Sequence, residues 1–463
     1  MKVAEQSFVR FVYPFLFEPS EFRKLAEAAG KAKWQGRERA FHVWKEARFH
    51  EEDLLAHVRD YLNPPAGKAP TALLWEMQGD ALQSPLGLGA QADWWLVHPR
   101  CRVPFRIREV RLALFRTGVG FLTAEVNPKT EVLDDWQVLL HYFRLVRGQH
   151  EVRVSAQRQA GRGVFEPYFP PAAGGVEKHP DGEGTFGEVL DAVMNTIGIK
   201  PQEVFVPGYL IPFAALYVDN QDISDQQIGE LLYRVRNFFH SRQEIHPSAG
   251  DLSLDHSATL VYADKMWFTF SLEGGAFVAV NAPQAEFFRE TLCDYLRDQY
   301  FLLFLMALHQ RFALMRLSQD VSEHCLSGCK KDRVEAFERI RSALLEFTAR
   351  GYFTQIMQRE RHHRVYRKWQ EVFMLDELYR EVSDEVRELH ECLLSEQTRR
   401  LEQRVNWLGA LIGVPALVIG FLSINLYGIT SKGEGLPIWL ALSVCFLGGG
   451  VLAGLGLWLL QRE

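Results

Sequence analysis

Two stretches near the C-terminal end constrain this chain more than anything else in it. Trp407–Ile429 and Ile438–Leu460 each run for 23 residues without a charged side chain. A helix of about 20 apolar residues crosses the hydrocarbon of a bilayer, so each run is long enough to span one. Between them lies Thr430-Ser431-Lys432-Gly433-Glu434-Gly435-Leu436-Pro437, a polar link too short for anything but a tight reversal. Residues 406–463 are therefore expected to form a two-helix transmembrane domain, with antiparallel spans at 407–429 and 438–460. The alternative is a pair of buried helices in a soluble core. Arg399, Arg400 and Arg404 precede the first span and Arg462 follows the second, while the link carries one lysine and one glutamate. The positive-inside rule then places the N- and C-termini in the cytoplasm, with the chain multi-pass in the cell (inner) membrane. Trp407, Tyr427, Trp439 and Trp458 fall near span ends, where aromatic belts form.

Two helices cannot enclose a pore, yet the first span is not shaped like a plain anchor. Asn406, Gly409, Gly413, Ala416, Gly420 and Ser423 recur at three- and four-residue steps towards Tyr427 and Thr430. They form a small, polar stripe on one helical face. The second span carries Gly448-Gly449-Gly450, Gly454 and Gly456. Small residues let membrane helices approach closely, so simple packing accounts for both stripes. The functional reading is that several copies of the first span surround a water-filled path with the second span outside. Polar groups at membrane depth, Asn406, Ser423 and Asn425, favour a lumen over lipid.

Upstream, a proline-free stretch repeats Leu375, Leu378, Val382, Val386, Leu389 and Leu393, and the spacing resumes at Leu401, Val405, Leu408 and Ile412. This predicts an amphipathic stalk helix running on into the membrane. Its acids include Glu381, Asp384, Glu388, Glu391 and Glu402. Repeated around a symmetric oligomer, they form carboxylate rings suited to a cytoplasmic cation or regulatory site. Interleaved arginines offer intrahelical pairing as the alternative. Arg359 to Arg364 with Arg367 and Lys368 is a basic segment, read as a solvated face or as a contact for headgroups or an anion. Ala282 to Glu323 reads as a helical block whose core, Tyr300 to Leu308, is apolar on nearly all sides and so buried. Residues 282–405 are thus a helical bundle with the stalk.

Residues 1–281 read as a cytoplasmic α/β domain, with a sub-boundary suggested near 161–185 by dense Gly and Pro. Strands are expected at Phe8 to Phe17, Val110 to Phe115, Phe121 to Val126, Tyr209 to Val218, Ala258 to Tyr262, Met266 to Ser271 and Ala276 to Val280. Helices are expected at Pro19 to Lys33 and Phe186 to Ile197. Gly118-x-Gly120 lacks a third glycine, a P-loop lysine and a following helix, so it reads as a hairpin turn. No catalytic constellation appears, and no enzyme is expected. Lys plus Arg number 52 against 58 Asp plus Glu, a net charge of −6 that argues against a nucleic-acid partner. The six cysteines are scattered, which suits a reducing compartment. His324, Cys325 and Cys329 form the one local group with zinc-ligand character, against a plain helix end and turn. The N-terminus carries Glu5 and Arg10 and does not read as a signal peptide.

This layout of an α+β cytoplasmic domain, a long helical stalk, two C-terminal spans and a very short outer link resembles the CorA-type divalent-cation channel superfamily (CorA/ZntB-like). That family is marked by Gly-Met-Asn after the first span. Here the place reads Tyr427-Gly428-Ile429-Thr430, a degenerate form, with Glu434 a looser counterpart of the acid in the outer link. Ile429 stands for the methionine and Thr430 for the asparagine. The resemblance is specific over roughly residues 370–463 and architectural before them. It implies a homopentamer and a selectivity filter or outer mouth at Tyr427, Gly428, Ile429, Thr430 and Glu434. It also implies Mg²⁺ or a transition metal as the cation, acting as substrate or regulator, with no cofactor required. The leading expectation is passive conduction of divalent cations through a pore lined by the first span. The alternatives are an effector pore gated by an unidentified small-molecule regulator, as in CorA-like proteins beside CRISPR systems opened by a nucleotide second messenger, and a non-conducting membrane scaffold.

Overall fold

The computed structural model describes residues 1–35, 40–79, 93–146, 152–161, 164–167, 183–199, 208–220, 223–241, 243–325, 330–430 and 443. They fall into two compact units. The first comprises Met1–Ser322 with Arg339–Ser383, and the second Glu323–Glu338 with Asp384–Glu463. The second span, the outer link with Glu434, and Cys329 lie outside the described residues.

The first unit is built on one large mixed sheet. Its strands are β1 (Lys2–Val3), β2 (Phe8–Leu16), β5 (Trp44–Ala47), β6 (Ala72–Met77), β7 (Asp93–His98), β8 (Cys101–Phe115), β9 (Val119–Pro128), β10 (Arg153–Gly161), β11 (Val164–Pro167), β12 (Glu183–Gly184), β13 (Ile211–Asp219), β14 (Thr259–Ala263), β15 (Met266–Ser271) and β16 (Gly274–Val280). A separate pair, β3 (Lys33–Gln35) and β4 (Ala40–His42), stands apart from it. The main path runs β11-β10-β7-β8-β9-β2-β13-β16-β15-β14. Strands before and after residues 161–185 therefore share a single sheet. Neighbours are antiparallel except β13 and β16, whose parallel pairing requires a crossover. Helix Asp225–Arg236 lies in that connection.

The central strand β2 is apolar at almost every position and buried along nearly its whole length, as expected when both faces of a sheet are covered. Phe11, Tyr13 and Phe15 face one core, shared with helices α3 (Leu133–Tyr142) and α4 (Phe186–Asn195) after α1 (Phe22–Lys31) and α2 (Ala56–Leu62). The Phe11 and Phe143 rings meet at 4.8 Å. Phe8, Arg10 and Val12 face the other way. There the sheet is covered by α6 (Phe287–Glu323), the helix after α5 (Asp225–Arg236): Phe213 contacts Phe304 at 5.4 Å and Phe121 contacts Phe312 at 6.1 Å. Pro14 lies beyond the last residue of β2 that pairs with β13, so its missing N–H costs that ladder nothing.

Helix α6 is long and apolar enough to cross a membrane, but 83% of its most apolar window is buried inside the unit. It is a core helix, and its partners are strands as well as α8 (Glu360–Val372), where Trp369 meets Phe304 at 4.7 Å. Helix α7 (Lys330–Arg350) precedes α8, and α9 (Leu375–Thr430) follows it. Met374, with φ of 52°, makes the break between α8 and α9.

The β8–β9 turn is a hairpin, as its glycines predict, with Gly118 at φ 83°. The Arg316 guanidinium donates to the carbonyls of Gly118 (3.0 Å) and Phe17, so the turn is also fastened to α6. A Cβ at position 118 would need positive φ and would meet that guanidinium. Gly118→Ala is expected to destabilise the protein by about 1–3 kcal/mol, read as a lowered midpoint in denaturant unfolding of the full chain.

Candidate functional site

The chemistry-bearing residues fall in both units. Helix α9 has Leu375–Ser383 in the first unit and the rest in the second, and it is one helix from the stalk through the whole first uncharged run, Trp407–Ile429. At about 100° per residue, an unbroken helix fixes the azimuth of every position along it. Val382 and Val386 are buried, on the same stripe as Leu375, while Glu381, Asp384, Glu388, Glu391 and Glu402 are all exposed on the opposite side. The positions of Asn406, Gly409, Gly413, Ala416, Gly420, Ser423, Tyr427 and Thr430 fall on that same opposite side. Together the acids and the small-residue positions lie within about 140° of arc.

Among these, Asn406, Gly409 and Ala416 are exposed, and added Cβ atoms at Gly409 and Gly413 would meet nothing within 4 Å among the described residues. Beside this stripe, Leu401, Val405, Leu408 and Ile412 form an apolar row, with Ile412 68% exposed. Asp384 pairs with Arg387 at 2.8 Å, and Arg400 lies 3.7 Å from Glu396, so part of the stalk charge is paired along the helix. Phe337 of α7 stacks on His390 of α9 at 5.7 Å. The side chains of Gly420 to Thr430, and those of His324 and Cys325, are not described. Among the described residues no group of three or more His, Cys, Asp or Glu side chains is placed to hold a metal.

In the first unit the sheet presents charge to α6. Register puts Arg10 of β2 opposite Glu125 of β9, and Glu125 opposite Glu109 of β8. Arg10 donates to Glu125 at 3.2 Å, to Glu109 at 3.0 Å and to the Arg297 carbonyl at 2.5 Å, with its guanidinium over the Phe301 ring at 4.8 Å. Burial pulls Arg10 below its ordinary value, and Glu125 and Glu109 push it back up. Burial likewise raises the Glu109 carboxyl, which Arg10 and Arg111 draw down again.

Next to this network a cavity of about 240 Å³ opens between sheet and helix, bordered by Arg48, His50, Arg111, Arg297 and Asp298, with Phe301, Leu302 and Leu305 on its apolar side. Nothing in the sequence flagged it. Its arginines come from three separate segments, and only the strand register and the pairing of sheet with helix bring them together.

Two buried histidines sit on α6 and α8. His309 is fully buried among Tyr61, Thr117 and Phe115, and His362 stacks on Tyr300 at 4.5 Å. The basic segment around His362 is thus only in part a solvated face.

No family model and no curated protein matches the sequence. Among solved structures, the chain matches the complete structure of the CorA magnesium transporter from Methanocaldococcus jannaschii at 14% identity. The match covers 57% of this chain and 93% of that one, with a TM-score of 0.19. At that score it establishes no shared fold.

Burial holds the two histidines uncharged. It lowers His309 to about 3 and, with Arg359 nearby, His362 to about 4, from an ordinary value of 6.5. The unfolded chain binds protons at these sites below pH 6.5 while the folded chain does not. Stability is therefore expected to fall as pH drops from 6.5 towards 4, by about 1.4 kcal/mol per pH unit for each residue. Denaturant titrations at pH 6.5 and 4.5 read the slope, and His309→Gln is expected to reduce it by roughly half.

Proposed function

We propose that the chain is an oligomeric membrane channel of the CorA type, passing divalent cations passively through a pore lined by the first span. The observation that carries this reading is the continuity of α9. One helix holds the exposed stalk acids and the small-residue positions of the uncharged run on the same face. In a ring of subunits such a face gathers cations on carboxylates and leads them to a narrow path with little side-chain bulk. The helix also continues through Pro415. An interior proline forfeits a backbone bond and costs about 3 kcal/mol in a water-exposed helix, but it is common in membrane spans.

The adjacent row Leu401, Val405, Leu408 and Ile412 is exposed on a single chain. Lipid or a second copy would cover it, as a membrane-embedded oligomer requires. The homopentamer, the second span at 438–460, the outer mouth at Tyr427 to Thr430 with Glu434, and cytoplasmic termini in the inner membrane complete the reading. Mg²⁺ or a transition metal is the substrate, and the inside-negative potential contributes about 2.3 kcal/mol per charge per 100 mV.

Reconstitution into liposomes with flux measurements for Mg²⁺, Co²⁺, Ni²⁺ and Zn²⁺ tests it. Wild-type flux is expected, with Gly413→Trp and Thr430→Trp blocking it. Among the described residues, a Cβ at Gly413 would meet nothing within 4 Å. Verified oligomers that carry none of the four ions, or carry them equally well in both variants, overturn the proposal.

A further inference from the structure

The cavity beneath α6 has the chemistry of a ligand site, and we propose that it binds a small organic oxyanion, its oxygens held by Arg111 and Arg297 and its apolar body lying against Phe301, Leu302 and Leu305. Arg111 and Ala113 are two apart on β8 and so point to one face, opposite Thr123 of β9 and Leu74 of β6 respectively. That face meets α6, whose Asp298, Leu302 and Leu305 recur at helical spacing. Elsewhere in the sheet–helix interface the buried polar groups Arg10, His309 and Arg316 have partners, so a charged hollow with donors to spare calls for an occupant or water.

Three guanidiniums and one carboxylate border the space, each guanidinium also lying beside an acid, so the case for an anion rests on donors left over. Two of them have donors to spare. Arg111 bonds Glu109 at 2.6 Å, but its buried Nε has no partner among the described residues. Among the described residues the Arg297 side chain makes only long contacts with Glu125 (3.7 Å) and the Gln6 carbonyl (3.5 Å), and its guanidinium lies 4.7 Å over Phe8. A guanidinium offers five N–H donors in a plane suited to carboxylate or phosphate oxygens. Arg48, 83% exposed and 3.7 Å from Glu51, also borders the space and would help draw the anion in. A volume of about 240 Å³ is below the usual 300–1,000 Å³ of drug-sized sites, which limits the ligand to about one ring with its acidic group.

Titration calorimetry on the full chain in detergent micelles tests this, with phenyl phosphate, benzoate, phenol and inorganic phosphate as probes. Because binding is read directly, failure here is distinct from failure of the channel reading. Phenyl phosphate or benzoate is expected to bind once per chain, the better of the two identifying the head group. Phenol and inorganic phosphate are expected to bind at least about tenfold more weakly, each lacking half of the recognition. Arg297→Gln is expected to weaken the favoured probe by at least about tenfold. Arg48→Gln, at an exposed position, is expected to unfold like wild type yet bind several-fold more weakly, with a shallower salt dependence. It keeps the test decisive should Arg297→Gln fail to fold. Absence of binding by wild type, equal binding of inorganic phosphate or phenol, or binding unchanged in both variants overturns the proposal.

Discussion

Arg10 sits in a strand that is otherwise almost wholly apolar, and its charge is held by Glu109 and Glu125. The side chain is 4% exposed, and an unpaired guanidinium at that depth would cost several kcal/mol. Three strands must therefore stand in one register for this charge to be paired, because a shift by a single residue would turn the carboxylates to the opposite face. The same guanidinium donates to a carbonyl of α6 and lies over Phe301. A single buried cation thus fixes strand to strand and sheet to helix. A hydrophobic interface alone specifies position loosely, whereas charge pairing and directed hydrogen bonds admit few alternatives. The cavity beside it follows from this arrangement. Phe301 closes over Arg10 itself, and beside it Arg111 and Arg297 edge a hollow with Leu302 and Leu305 on its apolar side.

How much of this was legible in the sequence depended on whether the signal was local. Met266–Ser271 carries alternating and β-branched or aromatic residues between turn signals, and the strand matches its expected bounds. Phe8–Leu16 ends one residue short of the expected Phe17, and Val110–Phe115 is the end of a strand that begins at Cys101. The first half of that strand alternates arginine with apolar residues, a half-exposed pattern that an apolar criterion misses. Trp44–Ala47 and Arg153–Gly161 were illegible for similar reasons, being short or polar and held by neighbours distant in sequence. The start of α9 at Leu375 was legible because its apolar residues keep helical spacing.

Sites were harder to read than elements. The stalk acids and the small-residue stripe could be found by spacing alone because they belong to one helix. Arg111 and Arg297 are separated by almost two hundred residues, and each looks like a surface arginine until strand register and helix packing bring them together. The histidines show the converse. His362 lies in a run of basic residues that suggests a solvated face, yet its ring is stacked on Tyr300 and 3% exposed. The apolar positions of α8, Val365, Tyr366 and Trp369, decide which side turns inward, and His362 is carried in with them.

The two apolar helices of the described chain make the same point about environment. Helix α6 passes a length and apolarity test for a membrane span and is buried, because aromatic residues of the sheet and of α8 cover it on successive sides. Along α9, Leu401, Val405, Leu408 and Ile412 have no such cover in the single chain. Apolar side chains in water cost about 25 cal/mol per Å² of exposed surface, so a row of this kind calls for an apolar surrounding that the described residues do not provide. Composition alone cannot separate the two helices. What separates them is whether the described residues supply partners: they do for α6, and along α9 they leave Leu401, Val405, Leu408 and Ile412 exposed.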